Sequence, residues 1–409
     1  MSIPLEETGR RVDSTARRFF SAGAPLQRPG LTALRALAAF LVVAFHLNHF
    51  VAPRRLVVAG LDLTPFVTIG WLGVNIFFVL SGFLITQHLL ERFARASLRE
   101  TWGPYLRDRI LRVVPAYWAQ IAVLFAIAVA AVGSAPAWTR YVPAHLVFLE
   151  NFSFPGHNAI NDVYWSLPVE FSFYLVAPLA VLLAWPASRD RGAILRRAAI
   201  VAVAGIVVTA AWRAFALAYA GKGPGELFWF FAMHLPGCAD QFALGMAAAF
   251  AFAAAGLPDA TLDRAWARRS DLLVLAGLGG IVAAMYLMDA RFMDYWRATP
   301  LFFAWSSAQG VATCLLVAGV AARGPLARAL FENAPILWLG TISYSVYLWH
   351  PFLIAQVAKA IGADAHGLAY LAAYALPAIV AVSAASYYMV ERPFLRMKRG
   401  AGVVPREVK

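Results

Sequence analysis

The sequence predicts an all-α integral membrane protein, a bundle of about ten transmembrane helices with both termini in the cytoplasm. Of its 409 residues, 61% are hydrophobic and only 14% are charged, whereas soluble domains carry about a quarter charged residues. Ten runs stay apolar over roughly the 20 residues that a helix needs to cross a bilayer. Basic residues are unevenly divided between alternate loops. These features exclude an ordinary soluble fold.

The ten apolar runs leave no room for a separate soluble catalytic domain, so any chemistry has to come from the membrane bundle. A basic cytoplasmic segment (1–30) precedes the membrane domain (31–394), and a basic tail (395–409) follows it. The first thirty residues carry five arginines and no apolar signal region, which predicts that the first span also directs insertion. The predicted spans are 31–51, 64–90, 116–133, 163–185, 198–220, 227–256, 272–288, 301–321, 336–361 and 368–390.

The net charge of +13 resides mainly in the loops and indicates topology. Lys and Arg number 26 in one set of alternate loops with both termini and 7 in the other set. By the positive-inside rule the richer set is cytoplasmic, which suits a multi-pass protein of the inner membrane. We therefore expect lipid as a partner and no nucleic acid. Cys238 and Cys314 lie in apolar runs without CxxC spacing, so we expect no disulfide framework and no metal site.

The first span carries two ionisable residues, Arg35 and His46. Their eleven-residue separation is close to three helical turns, which places both on one helix face about 16 Å apart along the axis. Ionisable groups inside a span are costly and are functional candidates by default. The alternatives are that Arg35 extends to the membrane surface and that His46 makes a buried structural hydrogen bond.

Other polar residues fall within the predicted spans. Glu170 lies somewhat over one turn inside the outer end of the fourth span, at a depth similar to that of His46. A carboxylate beside an imidazole can fix its tautomer and stabilise its protonated form; the alternative is a structural partner of an arginine. His350 precedes Pro351 and has the alternative of satisfying carbonyls freed by a kink. The remaining candidates are Asn75, His234 and Asp240.

Three arginines, Arg107, Arg109 and Arg112, precede Pro115 at the start of the third span. Guanidinium groups bind phosphates through paired hydrogen bonds, so this cluster is a candidate phosphate clamp. The alternative, which the charge pattern alone favours, is an anchor at the cytoplasmic surface.

In their order and spacing, these segments resemble the membrane-bound acyltransferase 3 family over nearly the whole chain, from Leu31 to Phe394. Arg35 and His46 match the family's arginine and histidine separated by ten residues. Each of the other segments is short, and the match rests on their order across the ten spans. They are Gly73–Ile85, Arg109–Arg112 with Pro115, Trp165–Glu170, Leu339–His350 and Val390–Phe394.

The resemblance implies an enzyme that moves an acyl group, usually acetyl, from cytoplasmic acyl-coenzyme A to a hydroxyl of a carbohydrate or other acceptor, with no bound cofactor. It implies a catalytic role for His46 supported by Glu170. It also implies donor binding by Arg35, Arg109 and Arg112. Acceptor binding is expected of Asn75, Trp165, Ser166 and His350.

The chain departs from the family pattern at two places. Asn75 stands where an aspartate is common, which puts a charged role there in doubt. Phe171 and Ser172 replace a usual Glu-Gln pair, which favours a subgroup with a different acceptor.

Two chemical routes fit the proposed catalytic histidine. His46 can take the proton from the acceptor hydroxyl as that hydroxyl attacks the thioester carbonyl, because imidazole has a near-neutral reference pKa. It can also carry the acyl group covalently. The sequence leaves both routes open.

Rival functions follow from the same residues. Intramembrane ionisable groups also build transporters and flippases, although no inverted repeat is evident. A non-catalytic partner of a polysaccharide synthesis complex is a further alternative. Within the enzyme hypothesis three acceptors stay open: a sugar of lipopolysaccharide or exopolysaccharide, either free or lipid-linked; peptidoglycan; and a small glycosylated or macrolide metabolite.

Overall fold

The protein is a bundle of long α-helices joined by short connections. A computed structural model describes residues 28–51, 55–152, 156, 159–186, 190–220, 230–255, 264–296, 299–362 and 367–397. The predicted basic segments at the two ends lie outside this part of the chain, except for residues 28–30 and 395–397. The long helices are α1 (Pro29–Asn48), α2 (Leu72–Phe93), α3 (Leu98–Val132), α4 (Ser166–Ala184), α5 (Arg191–Ala220), α6 (Ala239–Ala254), α7 (Arg264–Ala290), α8 (Pro300–Ala322), α9 (Ser343–Ile361) and α10 (Gly367–Ser386).

Short elements connect these helices. A small antiparallel hairpin pairs Val57–Val58 with Leu61–Asp62. Short α-helices cover Thr64–Thr68, Val142–Leu146, Phe292–Trp296, Pro325–Phe331, Ala334–Thr341 and Arg392–Arg396. Single 3-10 turns cover Ala137–Tyr141, Glu150–Phe152 and Leu235–Cys238, and a π-turn at Tyr387–Glu391 prolongs α10.

Nine of the long helices in the described residues are long and apolar enough to cross a membrane, so the protein is an all-α, multi-pass membrane protein. The predicted ninth span (336–361) is not among these nine helices, although ten spans were expected. It divides at Ile342, whose backbone leaves the helical region, into Ala334–Thr341 and α9. Polar residues such as Ser345 and His350 are buried in α9 and make its composition less apolar than that of the other long helices.

The third span begins much earlier than the sequence predicts. α3 starts at Leu98 because Ser97 and Glu100 form a reciprocal capping box at its amino end. Consequently Arg109 and Arg112 project from a helix and not from a loop.

Helix α1 lies at the centre of the bundle. It packs against α2, α8 and α9, and its buried residues belong to all three hydrophobic clusters of the core. Gly70 and Gly73 allow the chain to approach α1 so closely that a Cβ atom at either position would overlap the carbonyl oxygen of Leu41 or Ala38. The helix that carries Arg35 and His46 is therefore held firmly from several sides.

Candidate active site

The arginine and histidine of the first span share one unbroken helix. α1 runs continuously from Pro29 to Asn48, so Arg35 and His46 lie on one face, about 16 Å apart along its axis. Both side chains are half-buried. A ligand that approaches along this face can therefore reach Arg35 from one end and His46 from the other.

His46 is paired with His350, the histidine of α9. The Nδ1 atom of His46 lies 2.9 Å from the carbonyl oxygen of Val42 and 3.2 Å from Nε2 of His350. The ring of His350 is completely buried, and its Nδ1 atom lies 2.9 Å from the carbonyl oxygen of Val346. The contact between α1 and α9 thus brings together two imidazoles that are 304 residues apart in the chain.

The beginning of α4 is fixed to α9 one turn before this pair. Ser166 is buried, and its hydroxyl lies 2.7 Å from the hydroxyl of Tyr347. Tyr347 also donates a hydrogen bond of 2.9 Å to the carbonyl oxygen of Val163. Trp165 is partly exposed and packs edge-on against Phe78 of α2. The predicted acceptor-binding residues Trp165 and Ser166 therefore lie near the histidine pair, next to α2 and α9.

Glu170 lies one turn further along α4 and makes different contacts from those expected. One of its carboxylate oxygens accepts a hydrogen bond of 2.6 Å from Ser81 of α2. The carboxylate also interacts electrostatically with Arg35. The structure places it at the contact of α2 with α4, whereas His46 meets α9. His350, and not Glu170, is thus the side chain that hydrogen-bonds to the His46 ring.

A cluster of three arginines and two glutamates lies at the Arg35 end of α1, away from the histidine pair. Arg112 of α3 forms a 3.4 Å ion pair with Glu391, which is buried in the π-turn after α10. Arg35 interacts electrostatically with Arg112, Glu170 and Glu391. The guanidinium of Arg109 lies 5.6 and 6.0 Å from the rings of Tyr105 and Tyr174. Three guanidinium groups against two carboxylates leave this arginine cluster with one uncompensated positive charge.

Two N–H groups of the arginine cluster have no acceptor. The Nε atoms of Arg35 and Arg109 are buried and lack a hydrogen-bond partner within the part of the chain that the structure describes. Burying an unpaired donor costs about 1–3 kcal/mol, and more when the group is charged. An anionic ligand with several acceptor oxygens would remove this cost, and phosphate has that chemistry.

The sequence analysis missed several residues that complete the site. Glu391 was not among the predicted site residues, because the predicted tenth span ends at 390, but the π-turn continues the helix as far as Glu391. Its charge inside the Val390–Phe394 segment was the available signal. Ser81 and Tyr347 lie in the segments that carry the family resemblance, but uncharged side chains gave no further indication of their partners.

The remaining candidates lie apart from the histidine pair. Asn75 is half-buried and follows the α1-facing Gly73 by two residues, about 200° around α2. His234 precedes α6 and packs against Phe152 and Trp212, and burial lowers its pKa. Among the residues described, no three side chains of the metal-binding types lie together.

The helices of this membrane bundle enclose the paired imidazoles and the incompletely neutralised arginine cluster. The protein is therefore a multi-pass membrane protein with an ionisable site between its helices. The chain belongs to the acyltransferase 3 family, since the family model for the acyltransferase domain matches residues 28–388. The resemblance predicted from the sequence motifs is thereby confirmed. No solved structure matches the chain.

Several relatives are similar to the chain over most of its length. Peptidoglycan O-acetyltransferase OatA of Listeria monocytogenes is 28% identical over 343 residues, which cover 79% of this chain and 48% of the relative. Putative peptidoglycan O-acetyltransferase YrhL of Bacillus subtilis is 25% identical, with the same shares covered. O-acetyltransferase OatA of Staphylococcus aureus is 23% identical over 90% of this chain and 57% of its own. The chain spans about half the length of these relatives.

Proposed function

We propose that the protein is an O-acyltransferase that moves an acyl group, acetyl in the first instance, from acyl-coenzyme A to a hydroxyl of a cell-surface polysaccharide. One observation carries the proposal: one face of a central helix carries the half-buried His46 and also Arg35, which belongs to an incompletely neutralised arginine cluster. The cluster suits a polyanionic donor, and the histidine suits proton transfer at the acceptor. No metal or cofactor is needed for this reaction.

The donor would bind with its phosphates at the arginine cluster. Arg35 and Arg109 offer the buried N–H groups that lack acceptors, and Arg112 is held in place by Glu391. The pantetheine arm would then extend along the α1 face towards His46. In this proposal Glu170 supports the donor site through Arg35 and does not act on the histidine directly.

The chemistry at His46 is general-base catalysis. His46 takes the proton from the acceptor hydroxyl while the hydroxyl oxygen attacks the thioester carbonyl. A carbon–oxygen bond forms, the carbon–sulfur bond breaks, and the proton passes to the leaving thiolate. A positioned base contributes about 10²- to 10⁴-fold to such a step.

The acceptor we propose is a hydroxyl of peptidoglycan or of another surface polysaccharide. Two similar proteins support this class, because the names of both refer to peptidoglycan O-acetylation. Acceptor contacts would fall to the partly exposed Trp165 and its neighbours at the beginning of α4. Acylation of a small glycosylated metabolite is the outcome to expect if polysaccharide fragments are not modified.

We further propose that both termini face the cytoplasm and that the protein resides in the inner membrane. The distribution of basic residues supports this orientation, because it puts the arginine cluster at the cytoplasmic end and His46 in the outer half of α1. A reporter fused after Lys409 should be active only in the cytoplasm. Activity restricted to the other side would contradict the orientation and the donor side together.

Transfer in a purified system tests the function. Proteoliposomes would receive radiolabelled acetyl-coenzyme A and, separately, peptidoglycan oligosaccharides or lipopolysaccharide sugars, with ester-linked label detected by mass spectrometry. We expect label on one carbohydrate class and none with His46→Ala. Translocation of a carbohydrate without any label transfer would instead favour a flippase.

A further inference from the structure

The hydrogen bonds around the two histidines define which nitrogen of each ring carries a proton. Each Nδ1 atom lies 2.9 Å from the carbonyl oxygen four residues earlier on its own helix: Val42 for His46 and Val346 for His350. A carbonyl oxygen can only accept, so both Nδ1 atoms donate. A neutral imidazole has one N–H group, and therefore both Nε2 atoms carry lone pairs.

This assignment turns the contact between the rings into a directed hydrogen bond. Nε2 of His350 lies 3.2 Å from Nδ1 of His46 and accepts from it, so that one N–H group is shared between His350 and the Val42 carbonyl. A proton on Nε2 of His350 would instead set this N–H group against the N–H group of His46, two donors with no acceptor between them. The pair is consistent only when His350 is the acceptor.

From this geometry we infer that His350 is the positioning residue of the reaction, the side chain that, together with the Val42 carbonyl, holds His46 in its Nδ1–H tautomer. Nε2 of His46 then stays unprotonated and available to an acceptor hydroxyl. When His46 takes up a proton, His350 stabilises the resulting imidazolium through the same hydrogen bond. The inference rests on the proposed function, and it gives His350 the task that the sequence analysis assigned to Glu170.

The surroundings of His350 fix its ring as this task requires. The hydroxyl of Tyr347 is bound to Ser166 of α4, and the carbonyl oxygen of Leu348 accepts hydrogen bonds of 2.6 and 3.1 Å from Gln120 and Asn161. Three side chains from outside α9 thus anchor the turn that precedes His350. A ring held by its helix and by its neighbours can impose an orientation on the half-buried His46.

Two substitutions separate the positioning role from a merely structural one. In His350→Gln the side-chain oxygen is as many bonds from Cα as Nε2 of histidine, so it can still accept from His46. In His350→Asn the side chain reaches only as far as Nδ1 and loses the contact. We expect His350→Asn to lower kcat about ten- to a hundredfold, the equivalent of one hydrogen bond to a charged group, while His350→Gln retains most activity.

The Michaelis constant for acetyl-coenzyme A should be unchanged in both variants, because His350 does not touch the donor. His234→Asn is the matched control, since His234 is another packed histidine at the outer side and should leave kcat unchanged. Equal losses in the Gln and Asn variants, or a loss confined to the Michaelis constant, would overturn the inference.

A spectroscopic measurement tests the inference without relying on activity. Solid-state ¹⁵N NMR of histidine-labelled protein in bilayers should show His46 protonated at Nδ1 and unprotonated at Nε2 in the wild type. The opposite tautomer would overturn the role of His350 even in an active enzyme. Failure of the wild type to transfer acetyl would contradict the proposed function while leaving this tautomer test valid.

Discussion

Two of the polar networks in the described part of the bundle differ in how completely their charged groups are satisfied by hydrogen bonds. The first, the Asp240 network, joins α6 to α8. Asp240 is completely buried, and its Oδ2 atom accepts hydrogen bonds of 2.7 and 2.9 Å from Ser306 and Ser307. Its Oδ1 atom accepts from the backbone N–H of Gln241. This carboxylate is fully occupied by the protein.

The arginine and histidine site shows the opposite condition. Arg35 and Arg109 keep buried N–H groups without acceptors, and His46 is half-buried with one ring nitrogen directed away from its helix carbonyl. A satisfied buried network stabilises the packing of its helices, whereas unpaired donors cost stability unless a ligand supplies the acceptors. The comparison therefore favours a structural role for Asp240 and supports the proposed ligand-binding role of the arginine cluster.

The largest effect is expected at His46. His46→Ala should reduce acyl transfer about 10²- to 10⁴-fold through loss of the general base, as measured by kcat in proteoliposomes. Binding of acetyl-coenzyme A and thermal unfolding should stay close to wild type. Substantial activity in a well-folded His46→Ala preparation would refute the mechanism.

The next effect concerns the arginine cluster. Arg112→Ala removes a charged partner for phosphate and should raise the Michaelis constant for acetyl-coenzyme A about ten- to a hundredfold. Arg107→Ala is the matched control, because Arg107 is exposed on the same helix and bonds the carbonyl oxygen of Met397. If both variants bind the donor as well as wild type, the cluster is only a surface anchor.

Asp240→Asn tests the other half of the comparison. The amide keeps the shape but replaces charged hydrogen bonds, each of which contributes roughly 1.5–3 kcal/mol, and sets an N–H group against existing donors. We expect a lower midpoint of thermal unfolding with kcat and the Michaelis constant unchanged. Loss of kcat in a variant that unfolds like wild type would show that the satisfied network is catalytic.

The smallest effect is expected for Glu170→Gln. Ser81 can still donate to the amide oxygen, so the cost is the difference between a charged and a neutral hydrogen bond, about 1 kcal/mol, or less than tenfold in the Michaelis constant for acetyl-coenzyme A. A loss of kcat as large as that of His46→Ala would return Glu170 to the role of histidine partner. Single-turnover kinetics would separate the two outcomes.

The sequence was sufficient for features that depend on local periodicity. Apolar runs located all ten long helices, although the ninth run divides at Ile342 into a short helix and α9. The spacing of Arg35 and His46 placed both on one helix face, because helical geometry fixes that relation. The early start of α3 depends on the Ser97 cap, which acts outside the apolar stretch.

The partners of the site residues could not be predicted, because they depend on how distant helices pack. Whether His46 meets Glu170 or His350 is decided by the contacts of α1 with α9 and of α2 with α4. Similar depths in the membrane did not distinguish these possibilities. Glu391 enters the site only because a π-turn carries the last helix beyond its apolar residues.

The close contact of Gly70 and Gly73 with the α1 backbone has a consequence for donor selection. Since no side chain separates the two backbones there, α1 cannot slide by a turn without losing this fit. Arg35 and His46 both lie on α1, so the helix itself fixes the distance between them, and the glycine contacts fix where that distance lies in the bundle. Under the proposed function, a donor whose thioester is carried at a different distance from its phosphates would not place the thioester at the histidine.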